Sequence, residues 1–147
     1  MTGTAIPKYV VQRAITNAQI DPLTEHIGFF FTFKGRLHVE PDHRGGPYVI
    51  YKAADNIAKD PRVGAEVAAE WMADQMLEQG LNPLAMFHSH PSQMDVPSEG
   101  DLEYFPVHYV NWSLIWVASH PKSLTMYNAH GEIRKPLMDG LVIPDAQ

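Results

Sequence analysis

Residues 86–105, MFHSHPSQMDVPSEGDLEYF, hold the chain to a narrow set of arrangements. The apolar run LAMFHSH has the character of a strand and ends at Pro91, which has no N–H for a sheet ladder, and PSEGDLEYF starts a helix at Ser98. Side chains alternate faces along a strand, so His88 and His90 project together while Phe87 and Ser89 point the other way. A His-x-His pair alone commonly marks two half-exposed imidazoles and nothing more. Ser98 with Asp101 three positions later likewise matches a capping box, which stabilises helix starts in proteins of every function. Taken together they change meaning: a strand delivers two imidazoles, six residues follow Pro91, and a first helical turn returns a carboxylate.

The chemistry open to such a cluster is limited by composition. The 147 residues include no cysteine, which removes disulfides, iron–sulfur clusters, thiol nucleophiles and thiolate zinc sites, including the Pro-Cys-x-x-Cys segment of zinc deaminases. Two nitrogen ligands and one oxygen ligand with an open fourth position is the layout of catalytic zinc, whereas structural zinc closes its tetrahedron with protein ligands. Such a site also needs an acidic base near the ion, supplied from elsewhere in the chain.

A net charge of −6 argues against a nucleic-acid surface, which is built on Lys and Arg. No apolar run approaches the roughly 18 residues of a membrane span, and no secretory leader is evident, so a cytoplasmic protein is expected. Between Arg62 and Lys122 there is no Lys or Arg, while Glu66, Glu70, Asp74, Glu78, Asp95, Glu99, Asp101 and Glu103 all fall there. This acidic interval reads as a solvated face or as a surface for a basic partner.

Residues 1–147 read as a single domain of the α+β class, with residues 137–147 as a C-terminal tail that either frays or straps over a neighbouring surface. IPKYVVQRAITNAQIDP predicts a helix with Val10, Val11, Ala14, Ile15 and Ala18 on one stripe. EHIGFFFTFKGRLHVE predicts a hairpin turning at Lys34-Gly35, and YVIYKA a further strand. The longest helix is expected over 62–79, burying Val63, Val67, Trp71 and Leu77 with Met72 and Met76 beside them and stopping at Gly80. SLIWVAS, SLTMYNA and GEIRKPLM complete the set of strands.

His88-Ser89-His90-Pro91, six residues, Ser98, two residues and Asp101 is similar to the full JAMM motif of the JAB/MPN zinc metalloprotease family. PLTEHIGFFF resembles the family's first strand, with Glu25 at the position of its glutamate and Glu40 as the alternative. His26-Ile27 stands where a small residue commonly precedes Gly28, and the short stretch after Asp101 resembles the compact prokaryotic members. The resemblance implies a curved mixed sheet flanked by helices, a cytidine-deaminase-like α/β/α architecture. It further implies Zn²⁺ on His88, His90 and Asp101 with one catalytic water, Glu25 taking that water's proton and Ser98 steadying the oxyanion.

The implied activity is cleavage after the C-terminal Gly-Gly of a ubiquitin-like protein, in deconjugation or precursor processing, with a place in a bacterial conjugation or antiviral system. Sulfur-carrier precursor processing, a phage-tail or cell-wall peptidase, and a non-catalytic MPN-type scaffold are the other readings of the same residues. The implied partners are a ubiquitin-like protein and its conjugates, with no nucleic acid and no membrane. His38, His43, His108, His120 and His130 lack ligand spacing.

Overall fold

The computed structural model describes residues 3–33 and 48–145. The predicted turn at Lys34-Gly35, the strand returning to Glu40, and His38 and His43 lie outside the described residues. The chain is α+β, with helices on both faces of a mixed sheet. In order it forms β1 (Gly3–Ala5), α1 (Lys8–Ala18), β2 (Ile27–Phe33), β3 (Val49–Ala54), α2 (Ala69–Ala73), β4 (Leu81–His90), α3 (Glu99–Glu103), β5 (Ser113–Val117), β6 (Thr125–Tyr127), β7 (Ile133–Arg134) and β8 (Val142–Pro144).

Six of the strands make one sheet in the order β3-β2-β4-β5-β6-β7. Among the described residues only the β4–β5 pairing is parallel, with Met86 opposite Ser113 and His90 opposite Val117. A parallel pair needs a long crossover, and residues 91–112, which include α3, supply it. The crossover therefore leaves β4 at its carboxyl end, beside His90. Pairing between β2 and β4 slips between Phe30 and Phe31, which oppose Ala85 and Pro83. Pro83 cannot donate to a ladder, and a bulge of this kind accommodates it.

Alternation along these strands divides the core into two layers. Helix α1 covers one face with Val10, Val11, Ala14, Ile15 and Ala18, the predicted stripe, against Phe30, Phe87, Leu114 and Trp116. Each large aliphatic side chain so buried contributes roughly 1.5–3 kcal/mol. The opposite face packs Phe29, Phe31, Met86, Ile115 and Tyr127 under Met72 of α2 and Phe105 just after α3. The tail joins the fold as a second small sheet, in which β8 pairs with β1 through Thr4 and Ile143. Leu141 and Ile143 are buried on the α1 layer.

The expected helix over 62–79 forms only in its second half. Helix α2 begins at Ala69, and residues 74–78 continue it as a π-helical turn, closed by a bond from the Gln79 N–H to the Asp74 carbonyl. Gly80 then takes φ +68°, the left-handed stop expected of it. Residues 62–68 are non-helical because their backbone groups are bound elsewhere. The Asn56 side chain takes the Gly64 carbonyl and the Glu66 N–H, and the Ile57 N–H takes the Glu66 carbonyl. Val63 is consequently exposed rather than buried; Leu77, in the π-helical turn, is exposed too, while Met72 is fully buried and Val67, Trp71 and Met76 are partly so. Glu66 lies before the helix and does not extend its acidic row.

Gly28 is required by a close approach, since a β-carbon there would collide with the Tyr51 ring and lie 2.7 Å from the Lys52 carbonyl oxygen. Both obstacles belong to β3, one of them backbone, so the fit cannot relax cheaply. Gly28→Ala is expected to destabilise the protein by about 1–3 kcal/mol, the range for overpacking. A denaturant midpoint that does not move would show that β3 can give way.

Candidate metal centre

Four side chains converge at the carboxyl end of β4. Glu25, His88, His90 and Asp101 each offer one ligand atom, and these atoms lie within 4.8 Å of one another. Among the described residues this is the one group of His, Asp and Glu close enough to share an ion. His88 and His90 end β4 with their rings 5.0 Å apart and nearly parallel, as two same-face positions on a strand require. Glu25 arrives from the residue pair preceding β2, whose Ile27 is paired with His88. All four are withdrawn from solvent, with side-chain exposures of 1% for His88, 2% for His90 and 6% for Asp101.

The first turn of α3 delivers Asp101. Ser98 caps the helix by accepting a hydrogen bond from the Asp101 N–H at 3.0 Å, and Asp101 Oδ2 accepts from the Ser98 N–H at 2.9 Å. The capping box is complete. The same Oδ2 lies 3.0 Å from His90 Nε2 and 3.6 Å from His88 Nε2. Thus the cap that starts the helix also aims the carboxylate.

The donors and acceptors of the cluster suit a cation. His90 Nδ1 is 2.8 Å from the Met94 carbonyl oxygen, which can only accept, so Nδ1 carries the hydrogen. In the neutral imidazole, Nε2 then presents a lone pair to a carboxylate oxygen 3.0 Å away. Two acceptors at that distance require a proton or a metal cation between them. His88 has no hydrogen-bond partner at either ring nitrogen, and Glu25 Oε1 has none either, although all three atoms are buried. Buried polar atoms are ordinarily paired, so this concentration of unpartnered polar atoms, one nitrogen of His88 and Glu25 Oε1 among them as acceptors, fits a cation. A histidine whose second nitrogen donates to a backbone carbonyl is also the usual supporting arrangement around a metal.

Charge within the cluster follows the same geometry. Burial pushes the Glu25 carboxyl up to about 7, with His90 opposing and Asp101 reinforcing the rise. Burial also works against charge on Asp101, but the two imidazoles beside it, at 3.6 Å and 3.0 Å, outweigh that and hold the carboxyl well below the usual range. Burial lowers His88. At His90 burial acts in the same sense and is overcome by the bond to Asp101, so its net shift is upward.

His26 belongs to the opposite side of the strand. Its Nε2 meets the Tyr51 hydroxyl at 2.5 Å, and burial lowers its pKa to about 4. Its backbone exchanges two bonds with Ser89, the residue between His88 and His90, at 2.9 and 3.0 Å. His26 thus holds β4 from behind and does not reach the cluster. His108, His120 and His130 are exposed. Two supports had no signal in the sequence: the Met94 carbonyl, which is backbone, and Lys135, which bonds Asp95 at 3.0 Å and buried Thr125 at 2.8 Å across the sheet end.

The chain belongs to the family described as prokaryotic homologs of the JAB domain, which matches residues 7–129. Solved structures share the fold at low identity. A JAB1/MPN domain protein from Archaeoglobus fulgidus is 19% identical with a TM-score of 0.51, and the match covers 87% of this chain and 92% of that one. A protein from Salinibacter ruber is 20% identical with a TM-score of 0.55, covering 95% and 92%. A structure described as a metalloprotease-like zinc site in the proteasome and signalosome, JAMM, is 19% identical with a TM-score of 0.53, covering 90% and 94%. At such identities these likenesses establish architecture alone. No curated protein matches the chain by sequence. Among the described residues, no helix is long and apolar enough to cross a membrane.

One tightly held divalent metal ion per chain is expected by elemental analysis of the purified protein. Asp101→Asn keeps an acceptor for the Ser98 N–H but removes the ligand charge. It should weaken metal affinity by more than the roughly 10–100-fold typical of losing an outer support. Metal retained at wild-type affinity would remove Asp101 from the ligand set.

Proposed function

We propose that this chain is a zinc peptidase that cleaves after the C-terminal Gly-Gly of a ubiquitin-like protein, from conjugates or from a precursor. The observation that carries this reading is the buried meeting of His88, His90 and Asp101 with an unpartnered Glu25 carboxylate beside them. The donor set of two imidazoles and one carboxylate suits zinc with a position left for substrate. Zinc bound there supplies Lewis-acid polarisation of the scissile carbonyl and lowers the pKa of water to about 7.

The chain's own residues have separate tasks. Glu25 is buried beside the cluster, and burial raises its carboxyl's proton affinity, so it can take a proton from the attacking water and return it to the leaving amine. Ser98 Oγ accepts from the Asp101 N–H, which leaves its own proton free for the oxygen on which negative charge develops. Because the cap fixes that hydroxyl, its orientation exists before substrate arrives.

A groove beside the cluster supports an extended, small-residue substrate. Ile27, Ala65, Val67, Met86, Tyr104 and Tyr109 line about 190 Å³ of mostly apolar space, with Glu66 at its border. Ile27 is the residue paired with His88, so the groove leads to the metal end of β4. Glu99 and Glu103 are exposed on α3 and suit a basic residue upstream of the glycines. The same side chains serve deconjugation and precursor maturation, including a role in a prokaryotic defence system.

The decisive experiment is native mass spectrometry of the zinc-loaded protein with a panel of ubiquitin-like proteins carrying short C-terminal extensions. A cut directly after Gly-Gly, abolished by Glu25→Gln with zinc retained, is the expected result. Unchanged turnover in that variant would mean another group is the base, and an intact panel would favour a non-catalytic binder. Reversing Glu99 or Glu103 to Lys is expected to raise KM while kcat holds; an unaltered KM would remove the acidic face from recognition.

A further inference from the structure

We propose that Asn56 is a positioning residue for Glu25, an inference that rests on Glu25 being the base. No hydrogen bond restrains the Glu25 carboxylate at Oε1, so its aim depends on its packing and on how its backbone is held. That backbone is held at both of its polar groups by one loop. The Glu25 N–H donates to the Pro61 carbonyl at 2.6 Å, and the Glu25 carbonyl accepts from Asn56 Nδ2 at 2.9 Å.

Asn56 is saturated by this work. Its second Nδ2 hydrogen goes to the Gly64 carbonyl at 2.8 Å, while Oδ1 accepts from the Ala58 N–H at 2.9 Å and the Glu66 N–H at 3.1 Å. One amide therefore ties the residue bearing the base to two turns of the loop that runs beside the groove. Four directional bonds leave the side chain a single orientation and suit no residue but Asn, because Asp lacks the two donors and Gln adds a methylene. The loop thus fixes Glu25 without touching its carboxylate, which stays free to exchange a proton.

Asn56→Asp removes the hold on Glu25 together with the bond to Gly64 and leaves the other two bonds of the loop. It keeps an acceptor for Ala58 and Glu66 and sets a carboxylate oxygen against the Glu25 and Gly64 carbonyls. Misplacing a reacting group by an ångström costs on the order of 100-fold, so kcat is expected to fall about 10–100-fold with KM and bound zinc unchanged. Arg62→Ala, which breaks only the exposed Arg62–Asp60 pair on the same loop, should leave kcat at the wild-type value. A crystal structure of the Asn56 variant should show the Glu25 carboxylate displaced with His88, His90 and Asp101 in place.

Wild-type kcat in Asn56→Asp, an equal loss in Arg62→Ala, or an unmoved Glu25 would each overturn the assignment. If the wild-type protein cuts nothing in the panel, the proposed peptidase reading fails and the position of Glu25 in the variant crystal alone decides the role of Asn56. Should the Asp variant not fold, Asn56→Ala, which puts no charge against the two carbonyls, is read by the same measurements.

Discussion

The site depends on one carboxylate oxygen with two obligations. Asp101 Oδ2 accepts the Ser98 N–H at the helix start and faces both imidazoles of β4. An N-cap interaction is ordinarily worth about 0.5–2 kcal/mol and has no role beyond the helix end. Here it also ties α3 to the strand that carries the histidines. With only five residues in α3, the helix gains little from propensity and much from this junction. The cap and the cluster are therefore one interaction seen from two sides.

The sheet explains why that junction falls where it does. Because β4 and β5 run parallel, the chain must leave the end of β4 by a long crossover, and α3 lies in it. In open sheets with such connections the crevice outside the carboxyl ends of strands is where ligands collect. The apolar layers on either face bury the cluster while its polar atoms remain available, and burial in turn gives Glu25 its raised pKa.

Legibility in the sequence tracks how local each constraint is. His88 and His90 share a face because strand geometry alternates with period 2, and Ser98 with Asp101 forms a cap because helix starts leave donors free; both follow from a few adjacent residues. The stripe of α1 was readable for the same reason. The helix expected over 62–79 failed because Asn56, ten residues before Glu66, competes for the backbone bonds a helix would use. Exposed Val63 follows from that competition, not from any change in its own preference. Glu25 was found only through likeness to a family pattern, since nothing near it in the chain marks it as a partner of residues 88–101.

What local pattern cannot express is the cost of assembling such a site. A buried polar group left without a partner costs about 1–3 kcal/mol, and without an ion Glu25 and His88 would be such groups. A fold meets that cost only if the surrounding structure over-determines the positions of the residues involved. Here His26 binds β4 from behind, Lys135 fastens the loop that presents the Met94 carbonyl, and Asn56 fixes the backbone of Glu25. None of these side chains reaches the ligand atoms, and each acts at a different edge of the cluster. Directional bonds at the rim thus hold these residues in place, so that one ligand atom from each of Glu25, His88, His90 and Asp101 stays aimed at a common point.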